Sequence, residues 1–377
     1  LALVPTRRRA LAQAAGLALA PAVLTSAGAE AAQTGQAGLP QPLTLKQAAA
    51  RKGLMYGAAM EPNALDSDPP YAALVAAQCA DVTPENVMKW LLLRPTPTTF
   101  DFSGADRLVA WAEAHRMKIH GHCLVWHEAI PAWMPKTLTR DAAIHLLQTH
   151  IATVVGRYAG RMHSWDVVIE FIERADNRPD GLRRSLWLEA IGPDYMSIAL
   201  HAANAADPAA RLDLEDYGLE YDDIPWMNEK RIATLRLLEK LKAEGAPLHA
   251  LGIQAQLLGD HPPSFGPVLR QFLRDVAALG LDIYITELDV KDQKTPGDVA
   301  AHDRFVADVY RRFLDVVLDE PAVKLINTWG ISDRYSSKSF MAPRADHDVR
   351  PLPYDKALMP KPAAQALFDA FAKAPRR

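Results

Sequence analysis

RIATLRLLEKLKAEGAPLHALGIQ, residues 231–254, holds a helix, a stop and a strand in one line. Ile232, Leu235, Leu238 and Leu241 return every three residues, and Gly245 supplies the stop. Ala250-Leu251-Gly252-Ile253-Gln254 follows as a short apolar run of the kind a parallel sheet buries on both faces. Outward from this unit the pattern repeats. Runs at 54–59, 81–83, 118–125, 164–168, 211–214, 282–286 and 323–327 are each bounded by turns or charges, with helical stretches between them. Eight strand–helix units predict an α/β fold, a single-domain (β/α)8 TIM barrel, in preference to a doubly wound sheet.

The chain has 377 residues, 49% of them hydrophobic and 23% charged, with a formal net charge of −3. This is a globular composition, and it supplies no concentrated basic surface for nucleic acid. A neutral or mildly polar ligand fits better. Cys79 and Cys123 are too few and too far apart for a disulfide scaffold, and no Cys/His cluster argues for a structural metal. Both read as small buried side chains.

Ahead of the barrel, Thr6-Arg7-Arg8-Arg9 precedes an apolar run from Ala10 to Leu24 that ends in small residues. Residues 1–31 therefore read as a twin-arginine-type signal peptide, 32–42 as a linker, 43–372 as the barrel and 373–377 as a basic tail. The competing reading, a membrane anchor, suits a run this short and interrupted by Pro21 less well. The expected destination is periplasmic or secreted, with no membrane attachment after signal removal.

A barrel of this kind places its chemistry on the loops that follow its strands. Polar residues do collect there: Glu85 and Asn86, then His122, Trp126 and His127, Glu170, Glu215 and Asp216, Gln254 and Gln256, Glu287 and Asp289, and Trp329. Glu170 and Glu287 each directly end an apolar run, on the fourth and seventh strands. Facing carboxyls are what retaining glycoside hydrolysis requires, one as acid and one as nucleophile, about 5–5.5 Å apart. Ile169 and Phe171 flank Glu170, and apolar surroundings raise a carboxyl pKa toward the range useful to an acid catalyst. Trp90, Trp126, Trp133, Trp165 and Trp329 fall near strand ends, where an indole can stack on a sugar ring.

Thr83-Pro84-Glu85-Asn86-Val87-Met88-Lys89-Trp90, Gly121-His122-Cys123-Leu124-Val125-Trp126-His127, Trp165-Asp166-Val167-Val168, Asp216-Tyr217, Thr286-Glu287-Leu288-Asp289 and Thr328-Trp329-Gly330 occur in that order. On these motifs the chain resembles glycoside hydrolase family 10, the endo-1,4-β-xylanases, over about residues 43–371. The resemblance implies Glu287 as nucleophile and Glu170 as acid/base, with Asp289 and Tyr217 in support. It further implies Glu85, Asn86 and Lys89 binding the sugar on the non-reducing side of the cleaved bond. His122, Trp126, Gln254 and Trp329 would line the subsite where the bond breaks. β-1,4-xylan or a xylo-oligosaccharide is the implied partner of a monomeric enzyme, and two carboxylates with water complete the cycle without metal or cofactor.

Four positions depart from the family pattern. Ile169 stands where an asparagine precedes the acid/base and holds the sugar 2-hydroxyl. Glu215 replaces an asparagine before Asp-Tyr and adds negative charge, expected close to Glu170. Gln256 replaces a histidine able to form a relay with Asp289. Ser337 replaces a second tryptophan, removing one wall of the sugar pocket. Three accounts follow: a xylanase with a modified pocket and weakened activity; a barrel re-purposed, by evolution or design, so that a desolvated carboxylate acts as general base on a small apolar substrate; or a non-catalytic xylan-binding protein.

Overall fold

The computed structural model describes residues 43–295, 297–341 and 348–377. The signal and linker expected at 1–42 lie outside the described residues. Among the described residues, nine strands follow in chain order: β1 (Met55–Met60), β2 (Asp81–Pro84), β3 (Lys118–Gly121), β4 (Ser164–Ile169), β5 (Arg211–Asp216), β6 (Ala250–Ile253), β7 (Gln256–Leu258), β8 (Asp282–Lys291) and β9 (Val323–Thr328). Every pairing among them is parallel. β1 to β6 lie side by side, β6 pairs with β8, β8 with β9, and β9 returns to β1, so eight strands close a barrel. The ninth, β7, pairs only with the far end of β8, setting Gln256 opposite Asp289.

Strand limits differ from expectation at two places that matter for the site. β3 stops at Gly121, freeing 122–125 to turn across the mouth of the barrel, whereas β8 continues past Thr286 to Lys291. The helix predicted from 231–244 spans Pro225–Ala243, and its inward face is Lys230, Arg231, Thr234, Leu237, Leu238 and Leu241. Ile232 is exposed, contrary to the three-residue reading. A step of three falls short of the 3.6-residue turn, so over three steps the stripe drifts by about half a turn and Ile232 ends up opposite Leu241.

The main apolar core lies between the barrel wall and its surrounding helices. Inside the barrel, a small apolar group, Ala250, Tyr284 and Leu325, fills the base. Above it the filling is polar: Asp81, His120, Asp166, Asp213, Glu215 and Asn327 are fully buried. Arg377 does not hang free as a basic tail; its guanidinium donates to the Val323 and Leu318 carbonyls and its backbone N–H to the Lys52 carbonyl. No described helix is long and apolar enough to cross a membrane.

Candidate active site

The mouth of the barrel at the C-terminal ends of its strands encloses a cavity of about 640 Å³. Its wall includes Glu85, Asn86, Lys89, His122, Trp126, Ile169, Glu170, Tyr217, Gln254, Gln256, Glu287, Trp329 and Ser337. Glu215 and Asp289 stand immediately behind it and are buried. These thirteen were singled out in the sequence; the wall also holds residues that were not, Trp226 and Lys338 among them. A second hollow of about 710 Å³ lies under the Pro225–Ala243 helix; ion pairs Arg174–Glu229 and Arg178–Asp180 occupy its rim, and no pair of unengaged carboxyls faces into it.

The two carboxyls are held from one short segment. Gln254 Nε2 donates to Glu170 Oε1 at 3.2 Å, and Gln256 Nε2 donates to Glu287 Oε2 at 2.5 Å. Between them Ala255 takes a left-handed backbone, φ +58°, which breaks the chain between β6 and β7. Glu170 is also left-handed, φ +56°, so it leaves the strand direction as β4 ends. For non-glycine residues such conformations cost roughly 1–2 kcal/mol each and persist where surrounding structure demands them. Glu287 instead lies within β8, at a register irregularity between Ile285 and Leu288 against β9. Its backbone N–H donates to the Gln254 carbonyl at 2.9 Å.

The expected apolar sandwich around Glu170 is not formed. Phe171 turns into the core and Ile169 forms cavity wall, while the Glu170 carboxyl meets Gln254 and, at 3.7 Å, His127 Nδ1. The left-handed turn separates the three side chains. Burial and the Arg183 guanidinium push His127 below its ordinary imidazole range, against the pull of Glu170. Glu287 is buried, which raises its pKa; His122, Lys89, Gln256 and Glu215 pull it back down.

Beside the pair, Lys89 extends between the indoles of Trp126 and Trp329, its ammonium 5.0 and 5.7 Å from their ring centroids. Lys89 donates to Asn86 Oδ1, and Asn86 Nδ2 donates to Glu61 Oε1. Burial and the Glu61 carboxylate push Glu85 up to about 7, against Lys89. His122 Nδ1 contacts Asp166 Oδ2 at 2.8 Å, and its ring meets Trp329 edge-on. Tyr217 accepts from Arg183 and donates to Glu173.

Only Trp126 and Trp329 of the five tryptophans singled out in the sequence reach the cavity. Trp90 and Trp165 are core, and the Trp133 indole donates to the Arg94 carbonyl. Trp226, which the sequence reading passed over, lines the cavity with 38% of its surface exposed. It leans on Gly218, where a Cβ would come within 2.4 Å of the indole. Lys338 was missed as well. Its ammonium lies 3.2 Å from Asp289 Oδ2 and donates to Gln256 Oε1 at 3.2 Å, so a lysine stands where a histidine relay was expected to be lost. Its position beside Ser337 was the one available signal.

Glu215 also differs from expectation. Its carboxyl reaches Asp166 and Glu287, and the link to Glu170 is through backbone, Glu170 N–H to the Glu215 carbonyl. The ligating atoms of His122, Glu215 and Glu287 lie within 4.8 Å of one another, as do those of His120, Asp166 and Glu215. Such sets suit a divalent ion in principle. Here the ammonium of Lys89 already acts on Glu287, and both histidines are engaged by Asp166, which fits hydrogen bonding within the cluster better.

A closed parallel barrel with two carboxyls and paired indoles at its C-terminal mouth is the arrangement expected of a glycoside hydrolase. The profile described as Glycosyl hydrolase family 10 matches residues 44–370. The chain belongs to that family. It is 35% identical over 258 residues to endo-1,4-beta-xylanase B of Thermotoga neapolitana, covering 68% of this chain and 70% of that protein. It is 33% identical over 344 residues to endo-1,4-beta-xylanase C of Paenibacillus barcinonensis, covering 83% of this chain but 30% of that longer protein. The crystal structure of xylanase 10B from Thermotoga petrophila RKU-1 in complex with xylobiose superposes with a TM-score of 0.79 at 31% identity, covering 89% of this chain and 99% of the other.

Proposed function

We propose that the protein hydrolyses β-1,4-xylan or xylo-oligosaccharides with retention at the anomeric carbon. The observation that carries this reading is the joint hold on Glu170 and Glu287 by Gln254 and Gln256 within one cavity. Glu287, ionised, attacks the anomeric carbon while Glu170 protonates the departing glycosidic oxygen. Water, deprotonated by Glu170, then releases the sugar from Glu287 and restores both groups. Glu85, Asn86 and Lys89 hold the sugar on the non-reducing side, and Trp126 and Trp329 close over it. The polar contacts of Glu170 favour this cycle over a desolvated general base. Export through the arginine-rich leader would bring the enzyme to its polymer.

The test is product analysis. Wild type incubated with xylan is expected to release reducing ends, with the first-formed anomer matching the substrate by proton NMR, and Glu287→Ala to abolish release. Inverted product, or activity surviving Glu287→Ala, refutes the assignment.

A further inference from the structure

Glu215 points into the barrel from β5 and is fully buried. Among the described residues, no N–H or hydroxyl group reaches either of its side-chain oxygens. The groups that face it are mostly acids. β4 presents Asp166, β8 presents Glu287, and Asp213 precedes it on its own strand. β3 presents His120, and His122 follows its end; their nitrogens contact Asp166 at 2.9 and 2.8 Å. β6 presents only Gly252, where an added Cβ would lie 2.9 Å from the Glu215 Cβ and Cγ. Asp81 and Lys89 complete the charged surroundings of this group, acting on Asp166 and Glu287 respectively.

An ionised Glu215 would set a further buried anion against Asp166 and Glu287 with no donor to stabilise it. A neutral carboxyl has an O–H to give, and both neighbours are within its reach. Asp166 is already supplied by two imidazoles, whereas among the described residues Glu287 takes a side-chain hydrogen bond from one nitrogen, Gln256 Nε2, with His122 and Lys89 acting on it through charge. We propose that Glu215 is a positioning residue that retains a proton in the folded enzyme and donates a hydrogen bond to the Glu287 carboxylate. It thereby occupies with an O–H the place of an asparagine in the family pattern. The proposal rests on Glu287 acting as the nucleophile.

Burial, reinforced by the charges of Asp166 and Glu287, holds the Glu215 pKa well above the usual carboxylate range, in agreement with this geometry. The two glutamates then titrate as a pair sharing one proton over the working range. The proton stays on Glu215 throughout the cycle; its task is to keep Glu287 ionised in a buried site. Losing it at alkaline pH leaves adjacent anions and ends activity.

Two measurements test this. Carbon-13 NMR of protein labelled at the glutamate carboxyls, taken at neutral pH, should show a protonated carboxyl that Glu215→Gln removes; absence of that signal overturns the proposal without reference to activity. The pH profile of kcat/KM is then recorded on an aryl β-xyloside whose leaving group departs unprotonated, so that proton donation by Glu170 does not enter. Glu215→Leu should lose about 10²-fold and shift the acidic limb upward, because Glu287 lacks its donor. Glu215→Gln should recover most of that loss and move the alkaline limb to higher pH. An unchanged alkaline limb in Glu215→Gln, which does not depend on the leucine variant folding, removes the positioning role. Absence of hydrolysis in wild type sinks the nucleophile reading and this role with it, while the carbon signal still reports the proton.

Discussion

Ile169 stands in the cavity wall at the place where the family pattern has an asparagine. It lines the cavity beside Glu170 and offers no donor to a sugar hydroxyl. Ile169→Asn is expected to raise kcat on xylan by about 10²-fold, the usual scale of one hydrogen bond that strengthens in a transition state. Reducing-sugar assays decide it, and no gain would place the limiting step elsewhere. Lys338 is the complementary case, a group whose removal should harm. Lys338→Met leaves the buried Asp289 without its ammonium and Gln256 without a donor, so a loss of about 3 kcal/mol in urea denaturation is expected, together with lower kcat. Glu170 and Glu287 were legible because each follows an apolar run in the sequence, although β8 carries on past Glu287 to Lys291. Lys338 and Trp226 were not: the partners of Lys338 come from β7 and β8, and Trp226 sits at the start of a helix whose local sequence gives no sign that it turns to the cavity.

At the level of elements, the site depends on how closely β5 and β6 approach. Gly252 has no side chain where the stem of Glu215 passes. Gly252→Ala is expected to push that stem aside and destabilise the barrel by about 1–3 kcal/mol, read from the denaturation midpoint. A wild-type midpoint would show that Glu215 has room to move. The sequence resolved all eight barrel strands because buried parallel strands are short and apolar. It left out β7, three residues whose pairing needs the extension of β8 beyond the barrel rim. Its three-residue spacing also misaimed the helix at Ile232, an error that the true helical period explains.

For the whole molecule, the acidic filling of the barrel ties stability to pH. Glu215 has a folded pKa above its ordinary value of 4.5, so the folded state binds more protons than the unfolded chain above that pH. Its contribution to stability therefore falls as pH rises from 4.5 through the folded value, by up to about 1.4 kcal/mol per pH unit. Glu215→Gln removes that slope. The stability difference between variant and wild type in urea should grow with pH above 4.5, and a constant difference would contradict the assignment. Nothing in the linear sequence showed this interior: the acids are scattered over four strands and meet only when the barrel closes.

The unequal anchoring of the two glutamates has its own consequence. Glu287 is clamped inside a ten-residue strand with neighbours on both sides, while Glu170 stands just past a strand end at a left-handed turn, its carbonyl capped by Arg183. The cleft thus has a fixed anvil and an adjustable arm. On the proposed mechanism, changes in the 170–183 loop would retune proton delivery to leaving groups of different basicity while leaving the attacking carboxyl in its strand.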